Sequence, residues 1–386
     1  MPLPDYRGGS IVNLMATLVM ALGGGGVDYP MLTTLEPAAI AKRRHVLLLV
    51  IDGLGYEHLA QTVAGNTLRR GLRASMTSVF PSTTATAITT FLTATAPQQH
   101  GLTGWFTYFS ELGSVIAVLP FQDRHGGPGL ERNGIDAGRL FDHKPVFDRI
   151  PRRSCVVAPE RIIDSAFNVA HSGGALRRGY TTLPQFFDII DKCMNCSTEP
   201  TFTYAYWPHL DRLAHEHGIA STQVEMHLDE LDAGFSVFIN SVRGRDSIVI
   251  VTGDHGFIDT TPEALVSLDA HPALAETLLL PLCGEQRAAF CYVHPDRCTL
   301  FEDYVATHLA REATLLRSEQ VLRDGYFGVG VPHPRLRDRI GHYVLLMNHN
   351  FVIKDWIVGE HRYAHVGVHG GVSNQEMFVP LIVVEP

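Results

Sequence analysis

Six short, largely apolar runs limit what this chain can fold into. His45–Ile51 (HVLLLVI) is apolar throughout, and Val115–Leu119, Ser154–Ala158, Phe202–Trp207, Ser247–Thr252 and Phe378–Val384 repeat the pattern. A strand with one wet face alternates apolar and polar residues, whereas a continuous apolar run fits a strand covered on both faces. Helical patterns lie between the runs. The longest is Thr222 to Val242, where Val224, Leu228, Leu231, Phe235 and Phe238 recur at helical spacing. This alternation predicts an α/β fold, a mostly parallel sheet sandwiched by helices.

Between Ile258 and Tyr363 the rhythm changes. Strand patterns at Arg287–Val293, Thr314–Val321 and His342–Met347, with a helical pattern at Phe301–Arg311, predict a small α+β lobe. Residues 1–257 and 364–386 are then one catalytic core, and 258–363 is an insertion placed to cap it. The 386-residue length suits a large domain carrying a second one. Gly126–Gly129 and Gly325–Pro334 read as loops.

Hydrophobic residues make up 45% and charged residues 18%, a globular balance that argues against disorder. A net charge of -9 disfavours nucleic acid as a partner. Ile11 to Leu22 has a weak basic lead, Arg7 offset by Asp5. Ser10 can cap it and GGGG stops it, so an amphipathic packing helix is expected rather than a signal peptide. No run reaches the roughly 18 apolar residues of a membrane span. The six cysteines (155, 193, 196, 283, 291, 298) mostly fall in or beside apolar runs, which predicts buried thiols in a reducing, cytoplasmic compartment. The CxxC of Cys193 and Cys196 lacks a thioredoxin-like context and reads as chance spacing.

Carboxylates and imidazoles stand where such a sheet would place a ligand. Asp52 follows the first run, and Asp254-His255-Gly256 follows Ser247–Thr252. Ligands bind beyond the carboxyl ends of parallel strands. Asp211 and His215, four apart after FTYAYW, share a helical face and can hold one ion. His369 precedes two glycines that let the backbone turn sharply beside a ligand; His365 is its rival. His209 and His217 read as solvent-facing or supporting. Six O and N ligands suffice for two metal ions. The segment FPSTTATAITT (Phe80 to Thr90) adds hydroxyls where a helix begins, with Ser82 or Thr83 able to cap and another hydroxyl to attack.

Strand-Asp52-Gly, FPSTT, His100-Gly101, Asp211-xxx-His215, Asp254-His255-Gly256 and His369-Gly370 occur in the order that resembles the alkaline phosphatase superfamily, and within it the type I phosphodiesterases/nucleotide pyrophosphatases. The resemblance implies a metal-dependent hydrolase of phosphate diesters or pyrophosphates with Thr84, three residues after Pro81, as nucleophile. It implies that Asp52, Thr84, Asp254 and His255 hold one metal and Asp211, His215 and His369 the other. Zinc is the usual metal, and the ligands also permit manganese. A phosphomonoesterase, phosphonate hydrolase or phosphomutase on the same core is the alternative. A sulfatase is disfavoured, since no Cys or Ser precedes x-Pro-x-Arg. A catalytically silent metal-binding module is the reading outside enzymes.

One departure concerns the pocket. Well-studied nucleotide pyrophosphatases carry an Asn after the HG pair to bind the phosphoryl oxygen; here the stretch is LTGWF, with Trp105 near that place. Ala74 to Asp123 contains no Lys or Arg. That predicts a small-molecule ester with one negative charge over a dianionic monoester, unless a cation arrives from the cap or from Arg161, Arg177 or Arg178.

Overall fold

The structure is a computed structural model and describes residues 2–195, 199–360 and 362–386. Its centre is a seven-stranded sheet. The strands are β1 (His45–Ile51), β2 (Leu72–Thr77), β3 (Arg153–Pro159), β4 (Leu176–Tyr180), β5 (Thr201–Trp207), β6 (Ser247–Thr252) and β7 (Phe378–Val384), in the order β2-β7-β6-β1-β5-β3-β4. β1 pairs in parallel with β5 and β6, β5 with β3, and β3 with β4. β7 runs antiparallel to β6 and β2. Every residue of β1, β5 and β6 is buried, as their apolar composition requires. The edge strand β2 starts with a half-buried and exposed alternation.

Five helices matter below: α1 (Ile11–Ala21), α2 (Thr84–Thr93), α3 (Leu183–Asn195), α4 (His209–His217) and α5 (Thr222–Ser241). Alternate residues of β1 feed two cores. Val46, Leu48 and Val50 join residues of α1 and α2 on one face. Leu47, Leu49 and Ile51 join residues of α3, α4 and α5 on the other. Ser221 caps α5, its Oγ accepting the Val224 N–H. α1 is not amphipathic as expected. It is buried from Ile11 to Val19, Asn13 and Thr17 included, because it packs against α2 on one side and the segment through Pro30 and Leu32 on the other.

A second seven-stranded sheet is antiparallel throughout, in the order 313–317, 343–347, 288–291, 283–285, 106–109, 114–117, 122–123. Segment 258–363 supplies four of its strands and 106–123 the other three. The Val115–Leu119 run therefore belongs to this sheet and not to the central one. A short hairpin, not a crossover helix, joins 106–109 to 114–117, so the pair must be antiparallel. The expected strand Thr314–Val321 ends at Arg317, and a helix takes over at Ser318–Arg323.

Cys155 on β3 and Cys193 on α3 are disulfide-linked, their Cα atoms 6.3 Å apart, because α3 packs across β3. This corrects the expectation of free thiols at those two positions and removes the cysteine argument for a reducing compartment. Cys283 and Cys291 are free and buried as expected. Cys196, the other half of the CxxC, lies outside the described residues. No described helix is long and apolar enough to cross a membrane.

Candidate active site

The carboxyl ends of β1, β5 and β6 lie side by side, and the polar residues that follow them meet there. Asp52 comes directly after β1. Gly53 then adopts φ +76, and a Cβ on it would stand 2.5 Å from the Phe257 ring and 3.2 Å from the Asp211 Cα, so the turn beside the site needs glycine. Asp254 and His255 follow β6, Asp211 and His215 lie on α4 after β5, and His369 leads into β7.

Two ligand clusters share His255: Asp52, Asp254 and His255 form one, Asp211, His255 and His369 the other. His255 Nε2 is 3.3 Å from Asp52 Oδ1 and 3.5 Å from Asp254 Oδ2. Asp211 Oδ1 is 3.4 Å from His215 Nε2, 3.8 Å from His369 Nε2 and 4.0 Å from His255 Nε2. Nε2 of His215 and His369 are 3.2 Å apart, and the rings of His255 and His369 stack at 3.7 Å. Each imidazole is fixed from behind by a backbone carbonyl that accepts its Nδ1–H: Gly367 for His215 at 2.9 Å, Gly256 for His255 at 3.1 Å, Ser82 for His369 at 3.2 Å. That tautomer leaves all three Nε2 lone pairs facing the carboxylates, which is how protein histidines are oriented for a metal.

Asp52 Oδ1, Asp211 Oδ1 and Asp254 Oδ2 are buried without a hydrogen-bond partner. Their other contacts position them: the Tyr206 hydroxyl donates to Asp52 Oδ2, and the Gly53 and His255 N–H groups donate to Asp254 Oδ1 at 3.0 Å each. Burial pushes Asp52 up to about 6. Burial and the Asp52 charge push Asp254 up to about 8. Asp211 is raised well above the usual range by burial and then by Asp52 and Asp254. Burial lowers His215 to about 3 and His369 well below its ordinary value. Such a site suits a cation: carboxylates that resist ionising together, with imidazoles that stay neutral.

The hydroxyl segment resolves into separate roles. Thr83 occupies the N-cap of α2, but its hydroxyl donates to Glu285 Oε1 at 2.8 Å; Ser82 Oγ donates to the Gly371 carbonyl at 2.8 Å. Thr84 opens the helix, and its Oγ1 is 3.2 Å from His255 Nε2. From Met76 to Ala94, Thr84 alone is not fully buried. It faces a cavity of 670 Å³ also lined by Trp105, Phe106, Glu285, Lys354 and Tyr363.

The remaining sequence candidates fall outside the cluster. His365 packs against the His215 ring at 4.2 Å, tilted by 36°, and reaches Gln286, but has no hydrogen bond or ion pair to the three carboxylates. His209 packs against His227, and His217 is exposed. His100 is buried away from the cavity, against Thr90 and His143. Of the two expected routes for a cation, the cap supplies one: Lys354 of segment 258–363 lines the cavity, beside Arg124, one residue beyond the stretch without Lys or Arg, while Arg177, on the outer strand β4, pairs with Asp164 instead. Arg124 is saturated by Asp355, Glu360 and the Leu282 carbonyl. Lys354 donates to the Tyr363 carbonyl at 3.3 Å and lies over that ring at 4.1 Å; burial lowers it to about 8. Sequence reasoning missed Tyr206, Glu285 and Lys354. Only Tyr206 carried a signal, as a polar group one residue before the end of the strand next to Asp52.

The family model for type I phosphodiesterase/nucleotide pyrophosphatase matches residues 46–371. Among solved structures, murine ectonucleotide pyrophosphatase/phosphodiesterase 5 superimposes with a TM-score of 0.69 at 16% identity, over 88% of each chain. An inactive form of that murine protein in complex with AMP gives 0.67 at 16% identity, over 87% of each chain. Phosphonoacetate hydrolase from Sinorhizobium meliloti 1021, in complex with phosphonoformate, gives 0.63 at 16% identity, over 89% of this chain and 90% of that one. No curated protein matches by sequence. At such identity the solved structures speak for the fold alone.

Proposed function

Since this chain belongs to the type I phosphodiesterase/nucleotide pyrophosphatase family, we propose that it cleaves phosphate diesters or pyrophosphates by attack of Thr84, with two divalent cations held by the carboxylate–imidazole cluster. The chain is a hydrolase of that type on an alkaline phosphatase-superfamily core. The observation that carries the finer reading is the convergence of three buried, unpartnered carboxylate oxygens on three oriented imidazole Nε2 atoms. Buried carboxylate oxygens without donors are costly, and a cation removes that cost. Asp52, Asp254 and His255, with Thr84, fit one ion; Asp211, His215 and His369 fit the other. The all-O/N donor set suits zinc, and manganese next.

When bound, the ions would lower the pKa of the Thr84 hydroxyl and balance phosphoryl charge. Thr84 supplies the attacking oxygen from the first turn of α2, where free backbone N–H groups and the helix dipole favour an anionic phosphoryl group. The leaving alkoxide or phosphate departs opposite Thr84 Oγ1, and a phospho-threonine remains on the chain. Water then releases the product and restores the hydroxyl. Trp105 and Phe106 offer apolar surface to the second ester group.

The saturation of Arg124 supports a monoanionic substrate, because no arginine in the cavity wall is free to meet a second phosphoryl charge. The test is the ratio of kcat/KM for bis-p-nitrophenyl phosphate to that for p-nitrophenyl phosphate. The proposal expects a ratio above one, and a ratio well below one marks a monoesterase. A second reading, phosphonate hydrolase, is favoured by Lys354, a cation that makes no ion pair among the described residues. Hydrolysis of phosphonoacetate in preference to both esters would select it.

A further inference from the structure

The cavity wall beside Thr84 holds a carboxylate that the reaction above does not use. Glu285 Oε1 accepts the Trp105 N–H at 2.6 Å and the Thr83 hydroxyl at 2.8 Å. Both donors stand next to the nucleophile. Thr83 is its chain neighbour, and Trp105 lines the same cavity. In an anion-binding pocket, an N–H and an O–H so placed would serve a phosphoryl oxygen. Here both are spent on a side chain that is itself negative.

The side chain is held there. A Cβ on Gly370 would stand 2.7 Å from the Glu285 Cβ, so Glu285 packs directly against the loop carrying His369. The backbone next to it, Gly284, pairs with Phe106 and fixes the approach of the two segments. Glu285 forms no ion pair with a Lys or Arg among the described residues. Lys354, which shares the cavity, is drawn onto Tyr363 instead.

We propose that Glu285 is a specificity-determining charge filter: it occupies two donors beside Thr84 and sets a negative charge against a phosphoryl group that carries a second one. The inference rests on the reading of Thr84 as nucleophile and deepens it. A diester has one ionised oxygen, which the metal cluster can take, and its remaining ester oxygen carries no charge toward Glu285. A monoester dianion must put its extra charge near the carboxylate. Two unit charges several ångströms apart in a partly buried site disfavour each other by roughly ten- to a hundredfold in binding. The same repulsion would weaken retention of inorganic phosphate.

Glu285→Gln separates charge from shape. The amide oxygen still accepts from Thr83 and Trp105, so the pocket keeps its geometry while the charge is lost. Glu285→Asp retains the charge. With the metal-loaded protein at about pH 8.5, above the value of about 7 to which burial raises this carboxyl, kcat/KM is measured for p-nitrophenyl phosphate and bis-p-nitrophenyl phosphate. The inhibition constant of inorganic phosphate is measured alongside. The filter predicts that Glu285→Gln raises the monoester-to-diester ratio about tenfold or more and tightens phosphate inhibition similarly, while Glu285→Asp leaves both within about threefold of the parent. A ratio unchanged in Glu285→Gln, with an unchanged melting temperature, overturns the proposal. A parent enzyme that already prefers the monoester contradicts the diester reading, but the filter is still judged by the change on losing the charge.

Discussion

The stability that the metals add should grow as pH rises, because the metal-free site holds carboxylates whose contribution to folding falls with pH. Buried neutral histidines such as His215 and His369 act in the opposite sense but stay unprotonated with or without metal, so they drop out of the difference. Asp254 is raised from 3.8 to about 8 and Asp52 from 3.8 to about 6, with Asp211 raised beside them, chiefly by burial. Below about pH 4 these groups hold their protons whether folded or not, and they cost nothing. Above it the unfolded chain releases protons that the metal-free folded chain retains, so the carboxylates' contribution to stability falls until pH passes the folded values. For Asp254 alone, the span from pH 5 to 8 is about 3 units, and at about 1.36 kcal/mol per unit this is about 4 kcal/mol. Adding Asp52 and Asp211 in full would double count, since the carboxylates raise one another. An unfolding entropy of about 2.1 cal/mol/K per residue over the chain gives about 0.8 kcal/mol/K, so the loss corresponds to about 5 °C in Tm. The assay is calorimetric melting of chelator-treated and zinc-loaded protein from pH 5 to 8. The gap between them should widen by about that amount, because the cation takes over where the protons were, and Asp254→Asn should remove most of that widening. A gap that stays constant with pH would refute the reasoning.

Thr84→Ala should abolish turnover by several orders of magnitude while leaving zinc content and Tm near the parent values; Thr83→Ala should stay active, since its hydroxyl points to Glu285. An inactive Thr83→Ala beside an active Thr84→Ala would move the nucleophile by one residue. Arg287→Ala should cost about 3–5 kcal/mol in denaturant unfolding, because Arg287 and Glu376 form a buried pair at 3.1 and 3.0 Å. Glu376 also accepts the Gly371 N–H at 2.8 Å, so the same variant should loosen the His369 loop and weaken zinc binding; an unchanged zinc affinity would confine the pair to stability.

The central sheet was legible because β1, β5 and β6 are buried on both faces, and a strand so placed must be apolar at every position. Val115–Leu119 looked the same for another reason. It is a short strand paired with its sequence neighbours in a second sheet, which joins the 283–285 strand only through 106–109, and local periodicity does not say which sheet a strand enters. Thr314–Val321 divided for a similar cause, since Ser318 turns the chain into a helix after only five strand residues. Asp52, Asp211, His215, Asp254, His255 and His369 were legible as a group because strand ends in a parallel sheet bring distant sequence positions together. The cavity wall was not. Glu285 and Lys354 sit in a lobe with ordinary composition, and what matters about them is that neither forms an ion pair among the described residues, a property only three-dimensional packing decides. The Cys155–Cys193 link was hidden likewise, because it depends on α3 crossing β3.

The most direct test of the account is to look for the covalent adduct. Metal-loaded enzyme is mixed with excess bis-p-nitrophenyl phosphate, quenched in acid within a turnover, digested and analysed by mass spectrometry. The account predicts a phosphoryl ester on the peptide spanning Thr84, localised by fragmentation to that residue and absent from Thr84→Ala. Turnover with no modified peptide at any quench time, together with burst-free kinetics and an active Thr84→Ala, would contradict it.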